Sequence, residues 1–486
     1  MAEVEYDTMK PHVAVLPSPG MGHIIPLFEL AKSLVVHHNC HVSFLNITTE
    51  ASAAQTHLLR SPACTVLSPG LQVIDLPPVD ISALVSEETL VLTRLSIIVQ
   101  ESLKSDLKSV LIDLGELQAL VIDFFCTQAF EICRELSIPT YTFCTTSTAF
   151  LCFSLYLPTL DREVECEFVD LLESIQVPDC APVRIEDLLD QARNRKIDEY
   201  KWLLLHLSRL PMATGIFLNL WEDLEPKSLK AIREHSFYKQ IPTPPIHAIG
   251  PLIKQDEVPM TERDAECLAW LDKQPLDSVL FIALGSGGTL TAAQLTELAW
   301  GLELSRQRFI LVVRKPTNTS ASGTFFNAGG DVNDPTAYLP EGFLERTKGV
   351  GLVIPSWAPQ VMVLRHSSTG AFLSHCGWNS ILESITHGVP MIAWPLYAEQ
   401  RMNATMLVEE VGLVVKLAAG GGLEKGVVER EEIGRVIRMV MEGNEGKVMR
   451  HRARELKDSA EKALNFGGSS YKSLSCVVQQ WKADIS

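Results

Sequence analysis

Short apolar runs and stretches of helical periodicity alternate along this chain, and the alternation occurs twice. Residues 12–16 form a buried-strand run that ends at Pro17-Ser18-Pro19-Gly20-Met21-Gly22-His23. An amphipathic helix is predicted over about 26–37. Further strands are predicted at 41–47, 71–76, 119–125, 140–145, 215–220 and 246–249. A long helical pattern covers 87–114, and another helix runs through Leu136. Strands separated by helical segments predict a parallel sheet covered on both faces.

Gly250-Pro251-Leu252 and the polar stretch after it read as a linker, and then the pattern restarts. A strand over 279–284 ends in Gly285-Ser286-Gly287-Gly288, and a helix over 291–304 and a strand over 308–313 follow. Residues 316–335 are rich in Gly, Ser, Thr and Asn and are expected to form a mobile surface loop. Residues 357–400 read as strand end, short helix, strand (370–373), turn, helix, buried strand and loop. A strand over 412–417, a Gly420-Gly421-Gly422 turn, two charged helices and a final amphipathic helix ending near Lys482 complete the chain. The expected fold class is α/β, with two doubly wound parallel-sheet domains at 1–250 and 251–469. The two halves share a layout but no visible sequence repeat.

A chain of 486 residues suits two domains of about 230 better than one. The net charge of −17 argues against nucleic acid or an anionic membrane as partner. Eleven cysteines are scattered, odd in number and without paired metal spacings, which fits a reducing compartment. The start, MAEVEYDTMKP, lacks the basic and apolar regions of a signal peptide, and no apolar run reaches the length of a membrane span. A cytoplasmic monomer is expected.

The chemistry concentrates in the strand, turn and helix around 370–388. Ser374-His375-Cys376-Gly377 is a tight turn, and Trp378-Asn379-Ser380 opens the helix after it. Backbone N–H groups and the positive end of the helix dipole then converge on one spot suited to a phosphate. His375, Asn379 and Ser380 can add side-chain donors. Glu383, one turn on, shares their face and can accept from a ribose diol. Trp357 offers a flat face for a base. His23 and Asp123 fall at strand ends, where ligands of doubly wound sheets bind. From position alone His23 is open to a structural or a catalytic reading, and Asp123 to a strand-end cap. Ser286 is open to a plain tight turn.

The run from Trp357 through His375-Cys376-Gly377-Trp378-Asn379-Ser380 to Glu399-Gln400 closely resembles, without a gap, the signature box of plant family 1 UDP-sugar glycosyltransferases. The resemblance implies the GT-B architecture, two Rossmann-like domains facing a cleft. The C-terminal domain would hold the UDP-sugar and the N-terminal domain the acceptor, with the final helix (470–486) crossing back to the first. It places the family's catalytic His at His23 and the Asp that orients it at Asp123, an arrangement with the logic of a catalytic dyad. It implies that Trp357 stacks on uracil, Gln360 and Glu383 meet the ribose, and His375, Asn379, Ser380 and Ser286 the diphosphate, with Ala358 and Tyr397 also on the donor side. Trp378, Glu399 and Gln400 would line the sugar. Cys376 is expected to be only a small turn residue. No Asp-X-Asp triplet occurs, so no metal is expected at the diphosphate, and no cofactor beyond the UDP-glucose co-substrate.

Met21, Phe124, Phe125, Phe143 and Phe150 lie near strand ends of the first half. Each alone is open to a core reading; together they suggest an apolar slot for a flat aromatic acceptor. The runs PSPGMGH, LGSGG (284–288) and LPEGFLERT (339–347) resemble the branch that acts on simple phenols and monolignols, although a Phe is common there where Leu284 stands. A final Gln400 goes mostly with glucose in that family. The expected activity is an inverting, UDP-glucose-dependent glucosyl transfer to small aromatic hydroxyls. An epimerase of the same fold and a non-catalytic nucleotide-sugar binder are the alternatives.

Overall fold

The computed structural model describes residues 10–60, 70–254, 261–317, 335–417 and 426–484. Two parallel sheets organise them. The first holds β1 (His12–Leu16), β2 (His41–Ile47), β3 (Leu71–Leu76), β4 (Ala119–Asp123), β5 (Thr140–Cys144), β6 (Gly215–Leu218) and β7 (Ile246–Ala248) in the order β3-β2-β1-β4-β5-β6-β7. The second holds β8 (Val279–Ala283), β9 (Arg308–Val313), β10 (Gly351–Pro355), β11 (Thr369–Ser374), β12 (Met391–Ala393) and β13 (Val414–Lys416) in the order β10-β9-β8-β11-β12-β13. The central strands are buried along their whole length, as runs such as Val-Leu-Phe-Ile-Ala require. Both sheets are doubly wound and parallel, the α/β class expected from the sequence.

Strand order reverses between β1 and β4 in one sheet and between β8 and β11 in the other. At such a switch point the following loops diverge and leave a crevice at the carboxyl ends. The register makes neighbours of the strand ends. Leu16 pairs with Ile122, and Ala283 pairs with Ser374. Topology therefore pairs the segment carrying His23 with the β4 end carrying Asp123, and the loop at Gly285 with the turn at His375.

The first helix, Met21–His38, starts five residues earlier than its apolar pattern predicts, so His23 lies in its first turn and not in a loop. Gly20, at φ 110, makes the sharp entry, and its carbonyl accepts from the N–H groups of His23 and Ile24, each at 3.0 Å. Pro26 sits inside this helix. Having no N–H, it leaves the carbonyl of Gly22, four residues back, for another donor.

The helix predicted over 87–114 starts four residues later: it runs from Val91 to Asp113 with a wider turn at Leu103–Leu107, and 87–90 are not helical. Of the half-buried edge strand β10, the sequence reading gives only a strand end at the start of 357–400. The excursion from β5 to β6 adds the helices Thr148–Glu163 and Asp198–Ser208, also unpredicted. Most of the predicted 316–335 loop and the Gly420-Gly421-Gly422 turn lie outside the described residues. Among the described residues no helix is long and apolar enough to cross a membrane.

The final helix, Ser469–Ala483, packs on the first sheet. Leu474, Val477, Val478 and Trp481 share a core with Val13, Val15, Phe143 and Phe217. Ser470 Oγ donates to the carbonyl of Gly250 at 2.6 Å. The halves also meet beside the cleft, where Trp221 Nε1 donates to Ser459 Oγ at 3.0 Å. Asp187 and Asp190 accept from Lys416 and Arg401 across the same junction.

Candidate active site

A cavity of about 2460 Å³ runs between the carboxyl ends of the two sheets. Single small-molecule sites are roughly 300–1,000 Å³, so it has room for two ligands side by side. One wall comes from the first half. His23 Nδ1 and Asp123 Oδ2 are 2.8 Å apart, and Asp123 is fully buried. The other oxygen of Asp123 accepts from the N–H of Phe125 at 3.0 Å, so both lone-pair faces of the carboxylate are used. Bonding through Nδ1 fixes the tautomer with its proton there and leaves Nε2 as an acceptor. Burial pulls the His23 pKa down. The charge and hydrogen bond of Asp123, with the charge of Glu399, outweigh it, and the net result lies above 6.5.

Around the imidazole lie Phe124 and Phe125, with ring centroids 5.9 and 5.4 Å from it. Met21 and Phe150 add apolar surface to the same wall. Phe143 does not; it is fully buried in the core beneath the final helix. The side chain of a β5 residue alternates faces along the strand, and Phe143 points away from the cleft. His206, on the unpredicted helix Asp198–Ser208, is not among the residues the sequence singles out. Its two nitrogens bond Ser96 Oγ at 3.0 Å and Thr127 Oγ1 at 2.8 Å. Burial pushes its pKa to about 3, and it packs edge-on against Phe125 at 5.5 Å.

The opposite wall is the 357–400 unit. Trp357 keeps 37% of its surface exposed at the cavity, with Ala358 buried beside it. Gln360 Nε2 donates to Ser380 Oγ at 3.0 Å and to Glu383, which joins three of the predicted residues in one polar cluster. The His375 ring lies between two glycines. A Cβ at Gly285 would stand 2.3 Å from its Nε2 and a Cβ at Gly377 2.5 Å from it. Side chains at either position would expel the ring. Burial, then the charge of Arg314, pushes the His375 pKa down to about 3. His375 is therefore neutral at pH 7 and offers a hydrogen bond, not a charge. Cys376 has φ 63 and is buried, a strained turn residue with no exposed thiol.

Two of the predicted residues are partly committed to bonds between the halves. One N–H of the Asn379 amide donates to the Gly22 carbonyl freed by Pro26, at 2.8 Å, which leaves its second N–H and its backbone N–H to serve a phosphate. The indole N–H of Trp378 donates to the Asn219 carbonyl of the first half at 2.9 Å, and the residue also lines the cavity. Both bonds stitch the halves together behind the cleft. Gln400 is also partly committed: its Oε1 accepts from the N–H groups of Leu396 and Tyr397 at 2.9 and 3.0 Å. Only its amide NH₂ remains to meet a ligand. Glu399 faces the same space. Burial raises its pKa, while Asn403 and the charge of His23 oppose the rise. Burial also pushes the Tyr397 phenol up to about 12, so it stays protonated.

Ser286 lines the cavity from the loop after β8, next to Arg314, a cation the sequence reading missed. Among the described residues no three His, Cys, Asp or Glu side chains group where they could hold a metal ion.

A family model described as UDP-glucoronosyl and UDP-glucosyl transferase matches residues 277–445, which include the whole 357–400 unit. The chain is 46% identical over 485 residues to hydroquinone glucosyltransferase of Rauvolfia serpentina, covering 98% of this chain and 99% of that protein. It is 45% identical over 477 residues to anthocyanidin 3-O-glucosyltransferase 5 of Manihot esculenta, covering 97% and 96%. Among solved structures it superposes on UGT2 of Phytolacca americana, complexed with UDP-2fluoro-glucose and pterostilbene. The TM-score is 0.85 at 41% identity, over 97% of this chain and all of that one.

Proposed function

This chain belongs to the UDP-glucoronosyl and UDP-glucosyl transferase family, and we propose that it transfers glucose from UDP-glucose to a small phenolic hydroxyl with inversion. It is a UDP-glycosyltransferase of the plant phenolic branch; the individual roles below are our reading of the geometry. The observation that carries it is one cavity with the His23–Asp123 pair on one wall and the Trp357–Gln400 unit on the other.

The acceptor ring lies in the apolar slot of Met21, Phe124, Phe125 and Phe150, with its hydroxyl at His23 Nε2. His23 takes the hydroxyl proton as general base. Asp123 holds the tautomer and stabilises the imidazolium that forms. The acceptor oxygen attacks the anomeric carbon as the bond to the diphosphate oxygen breaks, and UDP carries away that electron pair. Attack from the face opposite the leaving group turns an α-linked donor into a β-glucoside. Trp357 and Ala358 hold uracil, and Gln360 with Glu383 holds the ribose. Ser286, Ser380, neutral His375 and the N-terminus of the helix Trp378–Thr386 meet the diphosphate by hydrogen bonds and dipole. Glu399 and the amide of Gln400 read adjacent sugar hydroxyls. No metal is invoked in this account.

We further propose 1–250 with the final helix as the acceptor half and 251–469 as the donor half, acting as a monomer in a cytoplasmic, thiol-reducing setting. Ten unpaired cysteines among the described residues suit that setting. The test mixes the protein with UDP-glucose and a panel of phenols, and follows UDP release and glucoside together. UDP-dependent glucoside formation, lost in His23→Ala, is expected. UDP-sugar conversion without acceptor would refute the transfer reading.

A further inference from the structure

Arg314 follows β9, and β9 lies between β10 and β8 in the sheet. A side chain at its carboxyl end therefore stands between the loops that leave both neighbours. The guanidinium spans them. Nε donates to the carbonyl of Ser356, in the turn after β10, at 3.0 Å. Nη1 donates to the carbonyls of Gly285 and Gly288, in the loop after β8, the second at 3.1 Å. The first turn presents Trp357. The second carries Ser286 and closes over the His375 ring.

Both loops bend through left-handed backbone at the carbonyls Arg314 grips: Ser356 has φ 62 and Gly285 φ 73. Such bends, costly for a serine, persist only where surrounding bonds hold them. A planar fork of donors can bridge two loops at a fixed distance; a single ammonium on a flexible stem cannot. We propose that Arg314 is a positioning residue that sets the spacing between the turn bearing Trp357 and the loop bearing Ser286, so that one nucleotide meets both. The inference rests on the donor-site reading given above. Arg314 also faces the cavity beside His375 and Tyr397. Its own pKa, lowered by burial to about 10, leaves it charged at neutral pH, and its charge favours the neutral His375.

The spacing matters only to a ligand that reaches both loops. UDP does; uridine, lacking the diphosphate, engages the Trp357 side alone. The test compares UDP and uridine affinity in the parent, Arg314→Lys and Arg314→Ala. UDP should weaken about tenfold or more in both variants, while uridine stays within about threefold. Donor KM should rise in step with the UDP loss, with acceptor KM within about threefold, a split that general destabilisation does not produce. Low-millimolar guanidinium ion should restore part of the UDP affinity of Arg314→Ala. UDP affinity within about threefold of the parent overturns the proposal, as does a parallel loss of uridine. If Arg314→Ala does not fold, Arg314→Lys is held to the same thresholds. A parent that does not bind UDP refutes the donor-site reading instead.

Discussion

Replacing Asp123 by Asn tests the base assignment through a tautomer. In the parent, one carboxylate oxygen faces His23 Nδ1 at 2.8 Å and the other accepts from the N–H of Phe125. An amide has a single oxygen. The Phe125 N–H demands an acceptor, so the Asn oxygen turns to it and the NH₂ turns to His23. Nδ1 must then accept, and the proton moves to Nε2, where the acceptor hydroxyl needs a lone pair. The base is present but protonated on the working nitrogen. We expect a loss of about 10²–10⁴-fold in kcat, roughly 3–5 kcal/mol of transition-state stabilisation. The pH profile adds a sign. His23 titrates above 6.5 in the parent because Asp123 and Glu399 outweigh burial. The neutral base is the active form, so kcat/KM falls as pH drops through that raised value. With the Asp123 charge gone and burial left, the acid limb moves to lower pH. The assay is kcat/KM against pH for a series of phenols of decreasing pKa. The loss shrinks along the series, since an acceptor that ionises unaided needs no base. An Asp123→Asn enzyme with the parent acid limb, or with one uniform loss across all phenols, would refute this.

His23→Ala should lose a similar factor with a weakly acidic acceptor while UDP affinity by calorimetry stays within about twofold, because the donor lies on the other wall. Trp357→Ala should weaken UDP and UDP-glucose together by about 1–3 kcal/mol, the range for base–aromatic stacking, and unchanged UDP binding would remove its role. Gly377→Ala should abolish UDP binding before it abolishes folding, because its Cβ would lie 2.5 Å from His375 Nε2. Thermal melting and UDP titration separate the two. Gln400→Ala should lose preference for UDP-glucose over UDP-galactose. It should also lower the melting temperature, because it strands the N–H groups of Leu396 and Tyr397 at about 1–3 kcal/mol each. A melting curve equal to the parent's would contradict that bracing.

The family and the two-sheet layout were legible because they rest on local signals. Val279 to Ala283 can only be a buried strand, and 357–400 carries base, ribose and phosphate chemistry in one contiguous run. What was not legible depends on partners far away in sequence. Nothing near Asn379 or Trp378 says that a side-chain N–H of each bonds the carbonyls of Gly22 and Asn219, in the other half of the chain. The clue at Gly22 was Pro26, whose missing N–H orphans a carbonyl, but a Pro at that spacing reads more naturally as a helix start. Phe143 and Phe124 look alike at strand ends; only the pleat and the final helix, which buries one of them, tell them apart. Arg314 reads as a solvated strand-end cation until the strand order shows which two loops flank it.

The most direct test of glucosyl transfer through the His23 wall is the anomeric configuration of the product. Proton NMR of the glucoside formed from UDP-α-glucose and a simple phenol reads it without ambiguity. One displacement, with the acceptor at His23 and UDP held on the far wall, predicts a β-glucoside alone. An α-glucoside, or free glucose and UDP with no glucoside, would contradict the account.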